Sequence, residues 1–378
     1  MSIRRSAFER SYSSNIDIAS RQSSSLIFEF GTAYLRVGIA GESKPRHVFP
    51  LSPKLSSQSE SSQSSLSLPY WSSIPSLPND LIQKKHSSYH DLGPWLSNLY
   101  THHLLLKPRS RRVIILLPIY HPTELRTTLE SILLNDLQVP SVLFVDSFRT
   151  IPYAIGGSSA GMIVDIGCME GRVVCFFNGH MCENTLQIVP VGFQSLLDRT
   201  TTTTTKEVQA LGTATVTATA TATVTDENVL GLIQEMYFDL DNMNSLIYAF
   251  LTSLLQCPID LRRQVVKNVV FVGGGVEGIS QFEQRFIRCI QGLFERDSCT
   301  VQCTLPDGTT EERAVYHVKD DRYRRFSSLA SVIMTAPLGV LYPLQFRPSC
   351  VAWVGGSIMG SVKLTDEKWV NRSEERSF

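Results

Sequence analysis

Three stretches of the chain end an apolar run in a carboxylate, a glycine or both. Glu29, Gly31 and Thr32 lie in "FEFGTAYLRVGIAGE" (Phe28–Glu42), Asp165 and Gly167 close "AGMIVDIG", and Gly273, Gly274 and Gly275 close "NVVFVGGG". A strand that stops at glycine leaves backbone N–H groups free to converge on an anion with no side chain in the way, the general means of seating a phosphate. Gly31, Thr32 and Gly167 are the phosphate candidates, and the three consecutive glycines would let a flat base or ribose lie against the backbone. A glycine after a strand is also the ordinary way to make a turn. The order and spacing of the three loops therefore carry more than any one of them.

Such loops need strands behind them. "RRVIILLP" is a continuous apolar run suited to a strand covered on both faces, and "HPTELRTTLESILLNDL" opens with Pro122 near a helix N-terminus and has apolar residues at helical spacing. "PSVLFV" (Pro140–Val145) predicts the next buried strand. This alternation implies an α/β fold with a mainly parallel sheet. "AGMIVDIG" opens a second sheet, which "RVVCFF" and "ENTLQIVPVG" continue as antiparallel strands. It repeats the pattern of the first loop, so the chain reads as a duplicated unit. "NVVFVGGG" is the last strand expected, followed by a helix over "ISQFEQRFIRCI".

Two tracts interrupt this pattern, one Ser-rich over 52–76 and one Thr-rich over 200–225. "TATVTATATATVT" alternates like a strand but is so uniform that nothing sets a pairing register, and it reads as a loop in preference to an edge ribbon. Residues 1–25 read as an unstructured tail, because Glu9 and Asp17 break the acid-poor pattern of a transit peptide. The expected division is a first domain over 26–158 completed by 335–378, and a second over 159–334.

A chain of 378 residues, 43% of them hydrophobic, can fill the cores of about two domains. Lys+Arg and Asp+Glu number 35 each, so no field of one sign exists to draw nucleic acid or an acidic membrane. The longest apolar runs, such as Val113–Tyr120, fall far short of the ~18 residues a membrane span needs. Of the eight cysteines, the close pair Cys299 and Cys303 lacks both the zinc-knuckle spacing and a second pair, so reduced thiols and no metal are expected. Cys168, Cys175 and Cys182 recur every seven residues in segments that read as strands, as half-buried small apolar residues would.

"FGTAYLRVGIAGESKPRHVFP", "MIVDIG", "VVFVGGG" and "CVAWVGGSIMGSV" follow one another in the order of actin's two phosphate loops, adenosine loop and C-terminal helix. From about Leu26 to Val362 the chain resembles an actin-related protein. "LLLKPRSRRVIIL", "VPSVLFV", "SLLQCPIDLRRQVVKNVV" and "CVAWVGGSI" resemble the type found at the pointed end of dynactin. The resemblance implies an actin-like ATPase fold: two duplicated α/β domains around a nucleotide cleft, with the outer subdomains reduced or disordered.

It also implies roles residue by residue. Glu29 stands where actins have the Asp that orders a metal's water shell, with Phe30 in place of a polar neighbour. A displacement of about an ångström can cost on the order of a hundredfold in a catalytic site. Gly31 and Thr32 suit phosphate contacts, and Arg36 replaces a Lys with a group that can still fork onto a phosphate. In the second loop Asp165 and Gly167 remain, while Cys168 replaces an Asp, Met169 replaces a Gly and would crowd the approach, and Arg172 replaces a His. Gly273, Gly274 and Gly275 keep the adenosine loop. The family's water-orienting Gln maps near Ser147, and nothing there can polarise an attacking water.

The implied protein is a degenerate ATPase with no catalytic residues and no metal, able at most to bind ATP or ADP without turnover. The implied role is a structural subunit of dynactin that caps the pointed end of its actin-like filament and supports dynein-driven transport along microtubules in the cytoplasm. Its partners would be the filament protomer and the other pointed-end subunits; it would not form a homopolymer. Both tracts fall in the small outer subdomains that form the pointed-end face, so that face would accept no further subunit. "PSCVAWVGGSIMGSV" and the helix after Gly275 keep the apolar content expected of a docking face. Two alternatives stand beside this: a subunit of a chromatin-remodelling complex, which lacks support from any basic cluster beyond "RSRR" (Arg109–Arg112), and an active ATPase or sugar kinase, which the altered loops oppose.

Overall fold

The computed structural model describes residues 24–51, 91–156, 158–200, 227–304, 309–336, 338–341, 346–362 and 368–371. The N-terminal tail up to residue 23, the Ser-rich tract and the Thr-rich tract after Thr200 lie outside the described residues. The chain divides into two compact units, Met1–Ala154 with Cys350–Phe378, and Ile155–Ser349. The sequence expectation put these crossings at 158/159 and 334/335.

The first unit is built on a six-stranded sheet. β1 (Leu26–Phe30), β2 (Tyr34–Ile39) and β3 (His47–Pro50) form an antiparallel series, and β4 (Val113–Leu117) and β5 (Ser141–Asp146) extend it in parallel on the other side of β1. The terminal strand Val370–Asn371 closes the β5 edge. β1 and β4 are buried along their whole length, β4 as an unbroken apolar run and β1 with the carboxylate Glu29 buried among its apolar residues. The helix Thr123–Ser131 starts directly after Pro122, whose fixed φ suits a helix entry.

The helix Val351–Ser361 packs in this unit beside the helix Ser147–Ala154, and the Thr150 hydroxyl donates to the Ala352 carbonyl at 2.6 Å. Trp353 is fully buried and its Nε1 donates to the Ile27 carbonyl at 3.4 Å. Val351, Val354 and Met359 are buried with it. The apolar content of this segment, expected to serve a docking face, is thus spent on the unit's own interior.

The second unit holds the sheet order β10 (Val269–Val272), β6 (Ala160–Ile166), β7 (Gly171–Phe177), β8 (His180–Met181), with β9 (Gln187–Val189) also on β7. β6 runs parallel to β10 and antiparallel to β7. Its core is aromatic: Phe250, Phe271, Phe282 and Phe286 meet edge to face or tilted. Phe282, Phe286 and Ile290 are buried here, so the helix Phe282–Gly292 also turns its apolar residues inward instead of offering them for docking. Cys175 is buried in β7, whereas Cys168 and Cys182 are half-buried and lie just outside strands.

One strand pair was not expected. β11 (Phe294–Thr304) and β12 (Thr310–Val318) form a separate two-stranded antiparallel sheet. Most of β12 is exposed on both faces, so it lacks the one-sided apolar alternation by which a strand is recognised. No helix among the described residues is long and apolar enough to cross a membrane.

Candidate functional site

Each unit presents one acid-bearing hairpin, and the two are built alike. In the first, Glu29 on β1 lies directly across the ladder from Arg36 on β2. The Gly31 N–H donates to the Tyr34 carbonyl at 2.9 Å and closes the turn, with Thr32 part-exposed at its tip. In the second, Asp165 on β6 lies across from Arg172 on β7, and the Gly167 N–H donates to the Glu170 carbonyl at 3.0 Å. In both hairpins the arginine follows its carboxylate by seven residues.

In the first pair Glu29 is buried and Arg36 half-buried. Arg36 Nη1 lies 3.1 Å from Glu29 Oε1, while Glu29 Oε2 has no hydrogen-bond partner among the described residues. Burial pushes the Glu29 carboxyl above its ordinary range, and the Arg36 charge and hydrogen bond pull only part of the way back.

The second pair is a triad. Arg172 Nη1 lies 3.4 Å from Asp165 Oδ2, and Arg172 Nε donates to Glu170 Oε1 at 2.7 Å, with Nη2 on the same oxygen. All three residues are buried, Glu170 most completely at 2% exposure. Sequence reading singled out Asp165 and noted Arg172 as a replacement, but missed Glu170. Its signal is the spacing in "MEGR", which sets a carboxylate two residues before an arginine at the mouth of a hairpin.

Two further segments close on the second hairpin. Phe193 N–H donates to the Gly167 carbonyl at 3.0 Å and Gln194 N–H to the Cys168 carbonyl at 2.8 Å. Just before them, any Cβ at Gly192 would overlap the backbone of Cys168 and Met169, so the covering segment needs glycine there. The third loop arrives on β10, whose Val272 pairs with Asp165. Gly273 takes φ +95°, and a Cβ on it would strike Ile166 and the Asp165 carboxylate. Its N–H donates to the Pro348 carbonyl at 3.0 Å. Gly275 backs onto Ile166, and only Gly274 faces open space. The structure therefore gathers Asp165, Gly167, Gly273, Gly274 and Gly275 in the second unit, while Glu29, Gly31, Thr32 and Arg36 form the hairpin of the first.

Beside the third loop lies a depression of about 500 Å³, open to solvent and lined by Val276, Glu277, Ile279, Phe282, Arg347 and Pro348. Glu277 Oε1 accepts from the Ser349 N–H at 2.9 Å on its rim. The position assigned to a water-orienting glutamine, Ser147, opens a helix instead, where Asp146 Oδ1 accepts from the Phe148 N–H at 2.8 Å. The donor set does not fit a divalent cation: each hairpin carboxylate already holds a permanently charged guanidinium.

A model of the actin family matches residues 20–230, a stretch that contains both hairpins. Among curated proteins, "Actin-related protein 10" of Dictyostelium discoideum is 23% identical over 190 residues, which cover 47% of this chain and 39% of that protein. The matched part thus spans about two fifths of that relative's length.

Proposed function

This chain belongs to the actin family, and from that premise we propose that it is a non-catalytic structural subunit. In this reading it caps the pointed end of the actin-like filament of dynactin and so supports dynein-driven, microtubule-based transport in the cytoplasm. The observation that carries the non-catalytic part is the occupation of both hairpin carboxylates by arginine. Phosphoryl transfer in this fold needs a carboxylate that orders a metal and a group that orients water. Glu29 and Asp165 are engaged elsewhere, and Ser147 cannot act as the second. No step of the proposed role uses ATP or ADP.

The dynactin part rests on the motif resemblance and on the likeness to the Dictyostelium protein. A cap needs one face that docks and one that does not, and it needs no nucleotide cycle. The expected docking helices contribute core residues, so the docking face must use other side chains. Met243 and Ile259, 70% and 76% exposed, are the most exposed large apolar residues among the described residues of the second unit.

ATP turnover tests the reading. The purified protein should release no phosphate above background, and Glu29→Asp alone should not create activity, because the water-orienting group is also absent. A robust rate abolished by Asp165→Ala would overturn it.

A further inference from the structure

The two hairpins repeat one arrangement in both units: a carboxylate at the end of the first strand, a glycine-closed turn, and an arginine directly across the ladder. A divalent cation binds several ionised oxygens that are free to turn toward it. Here Glu29 Oε1 accepts from Arg36, Asp165 Oδ2 from Arg172, and Glu170 Oε1 from two nitrogens of Arg172. A guanidinium cannot lose its proton in a protein, so a fixed positive charge stands within ion-pair distance of every one of these carboxylates and repels a dication. Glu29 Oε2, which has no partner among the described residues, does not restore a site, because it is a single buried oxygen on a carboxyl that burial holds toward its neutral form.

We infer that in each hairpin the arginine takes the place of a metal ion: Arg36 holds Glu29, Arg172 ties Asp165 to Glu170, and the hairpins stay folded without a divalent cation. The second hairpin is the clearer case, since one guanidinium bridges two buried carboxylates. Removing it would leave two acids side by side in a dry site, where a metal can replace the lost charge. The inference concerns what holds the hairpins and does not depend on the dynactin assignment.

The test is the melting temperature of the full-length protein in EDTA and in millimolar MgCl2 or CaCl2 at matched ionic strength. The wild-type value should be the same in all three. Arg172→Met should melt about 6–20 °C lower in EDTA, the loss expected for breaking a buried pair in a unit of this size, and recover part of it with either cation. Arg172→Met with Glu170→Gln, which leaves one acid, should not respond. If Arg172→Met does not fold, Arg172→Lys supplies the comparison: it keeps the charge but loses the fork, and should melt lower than wild type with no cation response. Stabilisation of the wild type by Mg2+ or Ca2+, an Arg172→Met protein as stable as wild type in EDTA, or one that folds and ignores both cations would overturn the inference.

Discussion

Glu29 is governed by two opposing effects: burial raises its carboxyl above the ordinary 4.5, and Arg36 lowers it by less. The folded state therefore holds the proton more tightly than the unfolded chain. The stability this contributes is complete below about pH 4.5 and is lost as pH rises through the folded value. Glu29→Gln has no proton to lose. The gap in melting temperature between the two proteins should move in favour of the variant as pH rises above 4.5, then level off. A flat gap would mean that Arg36 cancels burial, and one that moves toward the wild type that Arg36 outweighs it. At this scale the sequence was legible in part. The glycine turns and the altered carboxylates could be read directly, because turn chemistry is local. The link from Arg172 to Glu170 could not, since it depends on strand register and on the burial of all three side chains.

Among the elements, the helix Val351–Ser361 shows both what patterning reveals and what it conceals. Its apolar composition predicts burial but does not separate a core from a docking face, and the structure spends it inside the first unit, to which residues 335–378 were expected to belong. Trp353→Ala should cost ~3–5 kcal/mol, a large share of a marginal total stability, and leave a poorly soluble protein. Gly355 tests the packing separately, because a Cβ there would overlap the Thr150 carbonyl. Gly355→Ala should cost about 1–3 kcal/mol through overpacking, read as a lower melting temperature. An unchanged melting temperature in either variant would contradict the placement of this helix. β4 and β10 were legible for a simple reason: strands buried on both faces are unbroken apolar runs, and β1 and β6 depart from this only at their site carboxylates, Glu29 and Asp165, and at Gly161. The β11–β12 ribbon was not, because "TEERAVYHV" buries little and carries no such signal.

At the scale of the molecule, the fold and family follow from the order of the loops, whereas the partner does not follow from any loop. The Thr-rich tract 200–225 carries only Ala, Val and Leu as apolar side chains and none of the Trp, Tyr or Arg that most often anchor an interface. It should therefore be dispensable for assembly. A protein with one competent face ends a filament, so its company in the cell should be a defined complex and not copies of itself. The most direct measurement is affinity purification of the tagged protein followed by mass spectrometry, run on the wild type and on a variant in which Thr200–Thr225 is replaced by a short Gly/Ser linker. The account predicts that both recover the filament protomer and the other pointed-end subunits of dynactin. Recovery of chromatin-remodelling subunits, of no dynactin subunit at all, or of dynactin by the wild type alone would contradict it.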